Sequence, residues 1–143
     1  MDLLIRRAQA NDLKAVHELL CELEDRTFDL KDFAAVYSGN IESAHNIYLV
    51  AEYAGDVVGL LTCHGQTLLH HAGPVFEIQE LIVGKEFRSM GIGKLLLGRL
   101  DKELSGIPHE ILEVCSNVKR NRAHDFYLRE GFTRSHYKFT KPR

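Results

Sequence analysis

The chain of 143 residues has the length of one domain, and its 45% hydrophobic and 27% charged residues are typical of a globular protein. A net charge of -2 argues against general nucleic-acid binding, which needs a basic surface. No apolar run is long enough to cross a membrane, and the first residues lack the basic and apolar segments of a secretory leader. We therefore expect a single domain over residues 1–143, located in the cytoplasm, with no nucleic-acid or membrane partner.

The first half of the chain predicts a strand, two helices and a β-hairpin. Leu3–Arg7 is a short candidate strand. Asn11 and Asp29 are good N-cap residues, and apolar residues at helical spacing follow each of them. The hairpin joins strands over Ile47–Tyr53 and Val57–His64 across a short turn that contains a glycine.

The second half predicts a longer strand and helix, followed by three short elements. A strand over Phe76–Val83 leads into a helix over Gly91–Leu104. A strand, a helix and a last strand follow at Ile111–Cys115, Asn121–Arg129 and Phe132–Phe139. The order β-α-α-β-β-β-α-β-α-β predicts an α/β fold with a mixed sheet, because hairpins give antiparallel neighbours and helical crossovers give parallel ones.

The segment Arg88-Ser89-Met90-Gly91-Ile92-Gly93, at the start of the helix Gly91–Leu104, predicts an anion site. A helix N-terminus presents unpaired backbone N–H groups and a partial positive charge. The two glycines have no Cβ, so a phosphate oxygen can approach the main chain. Arg88 and Lys94 add positive charge. The alternative, a glycine-rich turn that only begins a helix, stays open at this point.

Two common phosphate-binding loops do not fit this segment. A Walker A loop needs a glycine five positions before Gly93 and a serine or threonine after the lysine, where the chain has Arg88 and Leu95. The dinucleotide-binding fingerprint needs a third glycine at the position of Leu96. Both nucleotide-binding classes are therefore excluded.

Two wider motifs surround and follow this segment. The first is Glu77-Ile78-Gln79-Glu80-Leu81-Ile82-Val83 followed by Arg88-x-x-Gly91-Ile92-Gly93. The second comprises Asn117, Arg120, Ala123-His124, Phe126-Tyr127 and Gly131-Phe132. Together they resemble the GNAT superfamily of N-acetyltransferases, and the resemblance covers residues 77–132 and the order of the elements. It implies a GNAT fold with a bulged and splayed strand at Phe76–Val83, and acetyl-CoA as the cosubstrate.

The same resemblance implies which residues bind the cofactor. Backbone groups of Leu81, Ile82 and Val83 would pair with the pantetheine arm, and Asn117 would contact this arm from the next strand. The pyrophosphate would lie on the turn and the start of the helix, which comprise Arg88, Ser89, Met90, Gly91, Ile92, Gly93 and Lys94.

The chemistry requires a base and an acid, because an amine attacks a thioester only after losing its proton. Glu77 and Glu80 are the candidate bases. Residues three apart in a regular strand face opposite sides, so only one would face the site unless a bulge intervenes. Resemblance to the histone-acetylating branch favours Glu77. The family resemblance also implies that Tyr127 gives a proton to the leaving thiolate, with direct transfer in a ternary complex.

A closer resemblance depends on further residues along the chain, namely His70-His71, the run that begins at Glu77, the segment Asn117-Val118-Lys119-Arg120, and Ser135-His136. With these residues the chain resembles the bacterial aminoalkylphosphonate N-acetyltransferases. This resemblance implies a small primary amine that carries a phosphonate as the acceptor, and it leaves a divalent metal open. Since a phosphonate is an anion, imidazole and cationic side chains are its expected partners. The candidates are His70, His71, Lys119, Arg120 and His136.

Two other functions are compatible with these residues. A protein or peptide N-acetyltransferase would have an open groove between the early helices and the Leu68–Pro74 loop. A catalytically inactive CoA-binding sensor would keep the cofactor turn without turnover. A homodimer is a further expectation, because members of the family often dimerise.

Overall fold

The computed structural model describes residues 2–143, which divide into two compact units. The first unit ends at Glu113, and the second comprises Val114–Arg143. The single domain expected over residues 1–143 stays a prediction. None of the helices in residues 2–143 combines the length and the apolar character that crossing a membrane would require.

A five-stranded mixed sheet organises the first unit, and its strands lie in chain order from β1 to β5. The strands are β1 (Leu3–Arg7), β2 (Asn46–Tyr53), β3 (Asp56–Leu68), β4 (Gly73–Val83) and β5 (Leu112–Val114). The helices are α1 (Leu13–Glu24), α2 (Leu30–Glu42), α3 (Ile92–Leu104) and, in the second unit, α4 (Asn121–Arg129). The division between the units falls within β5.

The predicted α/β fold and the order of elements through α4 are confirmed, but the last predicted strand is wrong. Residues 130–143 contain neither helix nor strand, so Phe132–Phe139 is not part of the sheet. Tyr137 and Phe139 are 90% and 92% exposed. Alternating sequence cannot form a strand by itself, because its backbone N–H and C=O groups need a neighbouring strand. In the described residues the sheet ends at β5.

The helices of the first unit cover both faces of the sheet. On one face, side chains of α1 and α2 pack against the sheet in a buried cluster of Val16, Leu19, Leu20, Tyr37, Tyr48, Val50, Leu60 and Ile82. On the other face, α3 packs against the sheet close to Gly59. A Cβ added to Gly59 would lie 3.3 Å from the side chain of Ile92 and 3.3 Å from that of Ala51. Val50 and Ala51 are adjacent on β2 and therefore point to opposite faces.

Polar contacts at the start of α1 hold this helix to the sheet. The Arg6 guanidinium binds both carboxylate oxygens of Asp12, at 2.8 and 2.9 Å, and also binds Glu52. A 3-10 turn over Ala10–Asp12 precedes the helix, so α1 begins at Leu13 with Asp12 as its N-cap, one residue later than predicted. The predicted cap of α2 is confirmed, because Asp29 accepts a hydrogen bond from the backbone N–H of Asp32 at 2.9 Å.

Candidate functional site

A β-bulge interrupts the pairing of β3 with β4. Thr62 lies opposite Glu80 and Cys63 lies opposite Ile78, so Gln79 is an extra residue on β4. Such a bulge shifts the alternation of side chains by one position. The bulged strand expected at Phe76–Val83 is confirmed.

The bulge brings both candidate bases to one face of the sheet. His64 lies opposite Glu77, and Thr62 lies opposite Glu80. Directly opposite residues share a face, and so do residues two apart on one strand, such as Thr62 and His64. Glu77 and Glu80 therefore point to the same side of the sheet, although they are three residues apart.

A cavity of about 260 Å³ lies on this face, between the sheet and the first two helices. Its apolar walls are Val16, Leu20, Phe28, Phe33, Val36, Tyr37 and Leu60, and its polar residues are Asn40, Tyr48, Thr62, His64, Gln79 and Glu80. The lining contains one carboxylate and neither lysine nor arginine. This composition favours a ligand group that is positively charged, such as a protonated amine.

Thr62 positions the carboxylate of Glu80 at the cavity. The Thr62 hydroxyl donates a hydrogen bond to the Glu80 carboxylate, and the Glu80 backbone N–H donates to Thr62 Oγ1 at 3.0 Å. Thr62 is only 2% exposed, so this support is buried in the sheet. Glu77 does not line the cavity, and its carboxylate accepts a hydrogen bond from Gln79 Nε2 at 3.2 Å. A carboxylate held like that of Glu80 can bind an ammonium group and accept its proton.

A chain of hydrogen bonds joins three other polar residues of the cavity. Asn40 Nδ2 donates to the Tyr48 hydroxyl at 2.9 Å, and this hydroxyl lies 2.8 Å from His64 Nε2. Burial raises the pKa of Tyr48 to about 12. The hydrogen bond from Asn40 lowers this pKa, and the charge of Glu80 raises it further. Tyr48 is therefore protonated at neutral pH, and its hydroxyl can donate to His64 Nε2 when the imidazole proton is on Nδ1.

The predicted anion-binding turn is exposed and has an unusual backbone conformation. Ser89 and Gly91 have φ values of 66° and 80°. Gly91 directly precedes α3, where any other residue would be strained, although a Cβ there would meet no atom within 4 Å. The first hydrogen bond of the helix runs from the Leu95 N–H to the Gly91 carbonyl at 3.1 Å. The N–H groups of the preceding helical turn have no partner within the helix, so they can bind an anion.

Arg88 lies beside the turn and connects it to β4 and α1. Its Nε donates to the Val83 carbonyl at 3.0 Å, and its Nη2 lies 3.5 Å from a carboxylate oxygen of Glu22. The guanidinium is partly exposed, with 43% of its side chain accessible. A positive charge is thus present next to the start of α3.

Comparison with known proteins identifies the family of the chain. The sequence model of the acetyltransferase (GNAT) family matches residues 13–132. The chain belongs to the GNAT acetyltransferases. The chain is also 39% identical to the aminoalkylphosphonate N-acetyltransferase of Salmonella typhimurium over 137 residues, which are 96% of this chain and 89% of the relative. It is accordingly an N-acetyltransferase, and the cosubstrate of its family is acetyl-CoA.

Solved structures share the fold of this GNAT acetyltransferase. A transcriptional regulator from Bacillus halodurans superposes with a TM-score of 0.90 at 19% identity, over 99% of each chain. An aminoglycoside N-acetyltransferase in complex with CoA superposes with a TM-score of 0.87 at 14% identity, over 99% of this chain and 94% of the other. At these identities the likeness shows the fold alone.

The second unit of the acetyltransferase contains Tyr127, the residue predicted as the acid. Its ring packs edge-on against Phe126 and Phe132, with centroids 5.5 Å apart in both pairs. Burial raises the pKa of Tyr127, and the positive charge of Arg120 opposes this shift only in part. The phenol is therefore protonated at neutral pH and can donate a proton.

The other predicted residues of the second unit lie in or near turns. Asn117 accepts a hydrogen bond from the Lys119 backbone N–H on its side chain, at 2.9 Å, and one from the Arg120 N–H on its carbonyl, at 3.0 Å. His136 Nδ1 lies 2.6 Å from the Ser135 hydroxyl. All three cationic or imidazole candidates of this unit, Lys119, Arg120 and His136, are at least partly exposed.

His70 and His71 do not line the cavity. They lie in a 3-10 turn at the tip of the β3–β4 hairpin, with ring centroids 4.4 Å apart, and His71 Nδ1 is 2.9 Å from a carboxylate oxygen of Glu110. Within residues 2–143, no three His, Cys, Asp or Glu side chains are grouped so that they could hold a metal ion.

Sequence reasoning missed several residues of the cavity. Asn40 and Tyr48 carry no motif, and their connection to His64 depends on the pairing of β2 with β3. Phe28 and Phe33 resemble ordinary apolar residues of a connection and a helix. Two signals were available in the sequence: the apolar spacing along α2 places Phe33 on the same face as Val36 and Tyr37, and the alternation along β2 places Tyr48 on the same face as Val50.

Proposed function

We propose that this acetyltransferase transfers the acetyl group of acetyl-CoA to the primary amine of a small aminoalkylphosphonate. The observation that carries the proposal is the 39% identity, across 96% of the chain, to the Salmonella typhimurium enzyme that bears this name. The cavity beside Glu80 supports it, because about 260 Å³ accommodates a small amine. A protein or peptide acceptor would require an open groove.

The proposed cofactor site uses β4 and the turn before α3. β5 has three residues and β4 has eleven, so β5 can pair with only part of β4. Backbone groups of Leu81, Ile82 and Val83 would bind the pantetheine arm, with Asn117 as the further contact that the family resemblance implies. Arg88, the exposed turn and the first N–H groups of α3 would bind the pyrophosphate, with Lys94 adding charge. Acetyl-CoA supplies the activated acetyl group as a thioester.

Glu80 is the proposed base. An ordinary alkylamine has a pKa of about 10, so about one molecule in a thousand is neutral at pH 7, a handicap of roughly 4 kcal/mol. Glu80 can first bind the ammonium group and then take its proton. We prefer Glu80 to Glu77, since only Glu80 lines the cavity and has a buried partner, Thr62, that orients its carboxylate.

Tyr127 is the proposed proton donor to the departing sulfur. Replacing Tyr127 with phenylalanine keeps the ring contacts but removes the proton, so kcat should fall about tenfold or more. The Kd for CoA, measured by calorimetry, should stay near that of the unmodified protein. Tyr137→Phe is the matched control, because Tyr137 lies in the same unit and is 90% exposed. Undiminished turnover in Tyr127→Phe would remove Tyr127 from the mechanism.

The proposed function is tested by thiol release with a panel of amines. The panel contains aminoethylphosphonate, propylamine, a peptide with a free N-terminus and a lysine peptide, each with and without a chelator. We expect the highest kcat/KM with aminoethylphosphonate. Turnover of the peptides alone would indicate a protein acetyltransferase, and binding of CoA without any turnover would indicate a sensor. Loss of activity with the chelator would show that a divalent metal takes part.

A further inference from the structure

The proposed acceptor carries two opposite charges, and the cavity provides for only one of them. Glu80 can bind the ammonium group, but no lysine or arginine lines the cavity. The cations that the sequence suggested for the phosphonate, Lys119 and Arg120, belong to the second unit. A phosphonate bound at this cavity without a cation would be strongly unfavourable. A phosphonate in the cavity requires a cation, and one in the first unit close to the cavity wall would supply it.

Arg26 meets this requirement. It lies between α1 and α2, and its guanidinium carbon is 4.4 Å from the centre of the Phe28 ring, which forms part of the cavity wall. Arg26 is exposed, and among the ion pairs of residues 2–143 none includes it. A guanidinium over an aromatic ring keeps its N–H groups available at its edge.

The connection that carries Arg26 is held in a defined conformation. Asp25 adopts the left-handed conformation, with φ of 49°, and the Arg26 N–H donates to the Cys21 carbonyl at 3.2 Å. These are the features of a helix end that turns the chain sharply. The Phe28 carbonyl accepts a hydrogen bond from His17 Nε2 at 2.7 Å. Arg26 thus projects from an ordered turn.

The ring beneath the guanidinium is also fixed. Phe28 packs against Phe33, with centroids 6.0 Å apart, and Phe33 packs edge-on against His17 at 5.1 Å. Phe28 and Phe33 both line the cavity. Arg26 therefore stacks on a ring that is part of the cavity wall.

We propose that Arg26 binds the phosphonate of the acceptor while Glu80 binds its ammonium group. The inference rests on the proposed function and adds the residue that selects an anionic acceptor. A guanidinium can give two parallel hydrogen bonds to two phosphonate oxygens, which a lysine cannot do with the same geometry. Arg26 acts in this way as a determinant of specificity, because it contacts the group that does not react.

The test compares kcat/KM for aminoethylphosphonate with kcat/KM for propylamine, an amine of similar size without the anion. In Arg26→Gln we expect KM for aminoethylphosphonate to rise about tenfold or more, with kcat and the values for propylamine little changed. Arg26→Lys should recover part of the preference. Lys102→Gln removes one positive charge from α3, which packs on the opposite face of the sheet, and should leave the preference intact. Calorimetry with CoA checks that each variant is folded.

The outcomes separate this inference from the function on which it rests. If the unmodified enzyme shows no preference for aminoethylphosphonate, the proposed function fails. If it shows the preference and Arg26→Gln keeps it, the function stands and the role of Arg26 is wrong. An equal loss with both amines would also overturn the role, since it would indicate damage to the cavity. A preference lost in Arg120→Gln but kept in Arg26→Gln would assign the phosphonate to the second unit.

Discussion

Replacing Glu80 with glutamine should lower kcat/KM for the amine about 10²- to 10⁴-fold near pH 7. Glutamine keeps the size of the side chain, and its amide oxygen can still accept the hydrogen bond from Thr62. It can neither take the proton of the amine nor neutralise the ammonium charge. The defect should shrink as the pH rises, because each unit by which the pH rises toward the pKa of the amine gives about ten times more neutral amine.

The measurement is a pH profile of thiol release for Glu80→Gln, with Glu77→Gln as the matched control. Glu77 lies on the same strand and the same face, but it bonds to Gln79 and does not line the cavity. A small effect in Glu77→Gln and a large, pH-dependent effect in Glu80→Gln would support the assignment. A larger loss in Glu77→Gln would restore the ranking that the family resemblance suggested.

Replacing Arg6 with methionine should lower the free energy of unfolding by about 1.5–3 kcal/mol, because the part-buried Asp12 carboxylate loses a charged hydrogen-bond partner. The Asp12 side chain is only 7% exposed and would keep a carboxylate without its guanidinium. Urea unfolding at neutral pH measures the change. Arg7→Met is the control, because the Arg7 side chain is 51% exposed and its pair with Glu103 should contribute about 1 kcal/mol or less. Equal losses in both variants would contradict this account.

The same pair predicts how stability depends on pH. Burial by itself would raise the pKa of Asp12, but the hydrogen bonds from Arg6 and the Gln9 N–H, with the charge of Arg6, hold that pKa below its ordinary 3.8. Since the pKa of Asp12 is lower in the folded state, its contribution is present above the ordinary value and is lost as the pH falls through the folded value. In Arg6→Met burial acts with less opposition, so the folded pKa of Asp12 moves up toward or above its ordinary value and less stability should be lost on acidification than in the unmodified protein. Unfolding in urea at a series of acidic pH values would detect this difference.

Much of the fold and of the proposed cofactor site could be read from the sequence, because both depend on local features. The Asp29 cap uses a backbone N–H three residues ahead, and the β2–β3 hairpin and the positions of β4 and α3 follow from nearby residues. Gly91 adopts a positive φ at the start of α3, where the motif predicts a turn open to a phosphate. Caps, hairpins and turns join residues that are only a few positions apart, so the spacing of those residues is enough to predict them.

The acceptor side depended on the tertiary structure. The extra residue Gln79 in β4 decides that Glu77 and Glu80 share a face, and the surrounding helices decide that only Glu80 lines the cavity. The spacing of residues in the sequence does not show that Arg26 lies at the cavity wall. Its position depends on the Phe28 ring, which packs against Phe33. The prediction of a strand at Phe132–Phe139 was wrong because a strand also needs a neighbouring strand to pair with. A face, a cavity or a strand pair depends on neighbours that are distant in the chain, and local sequence patterns do not specify them.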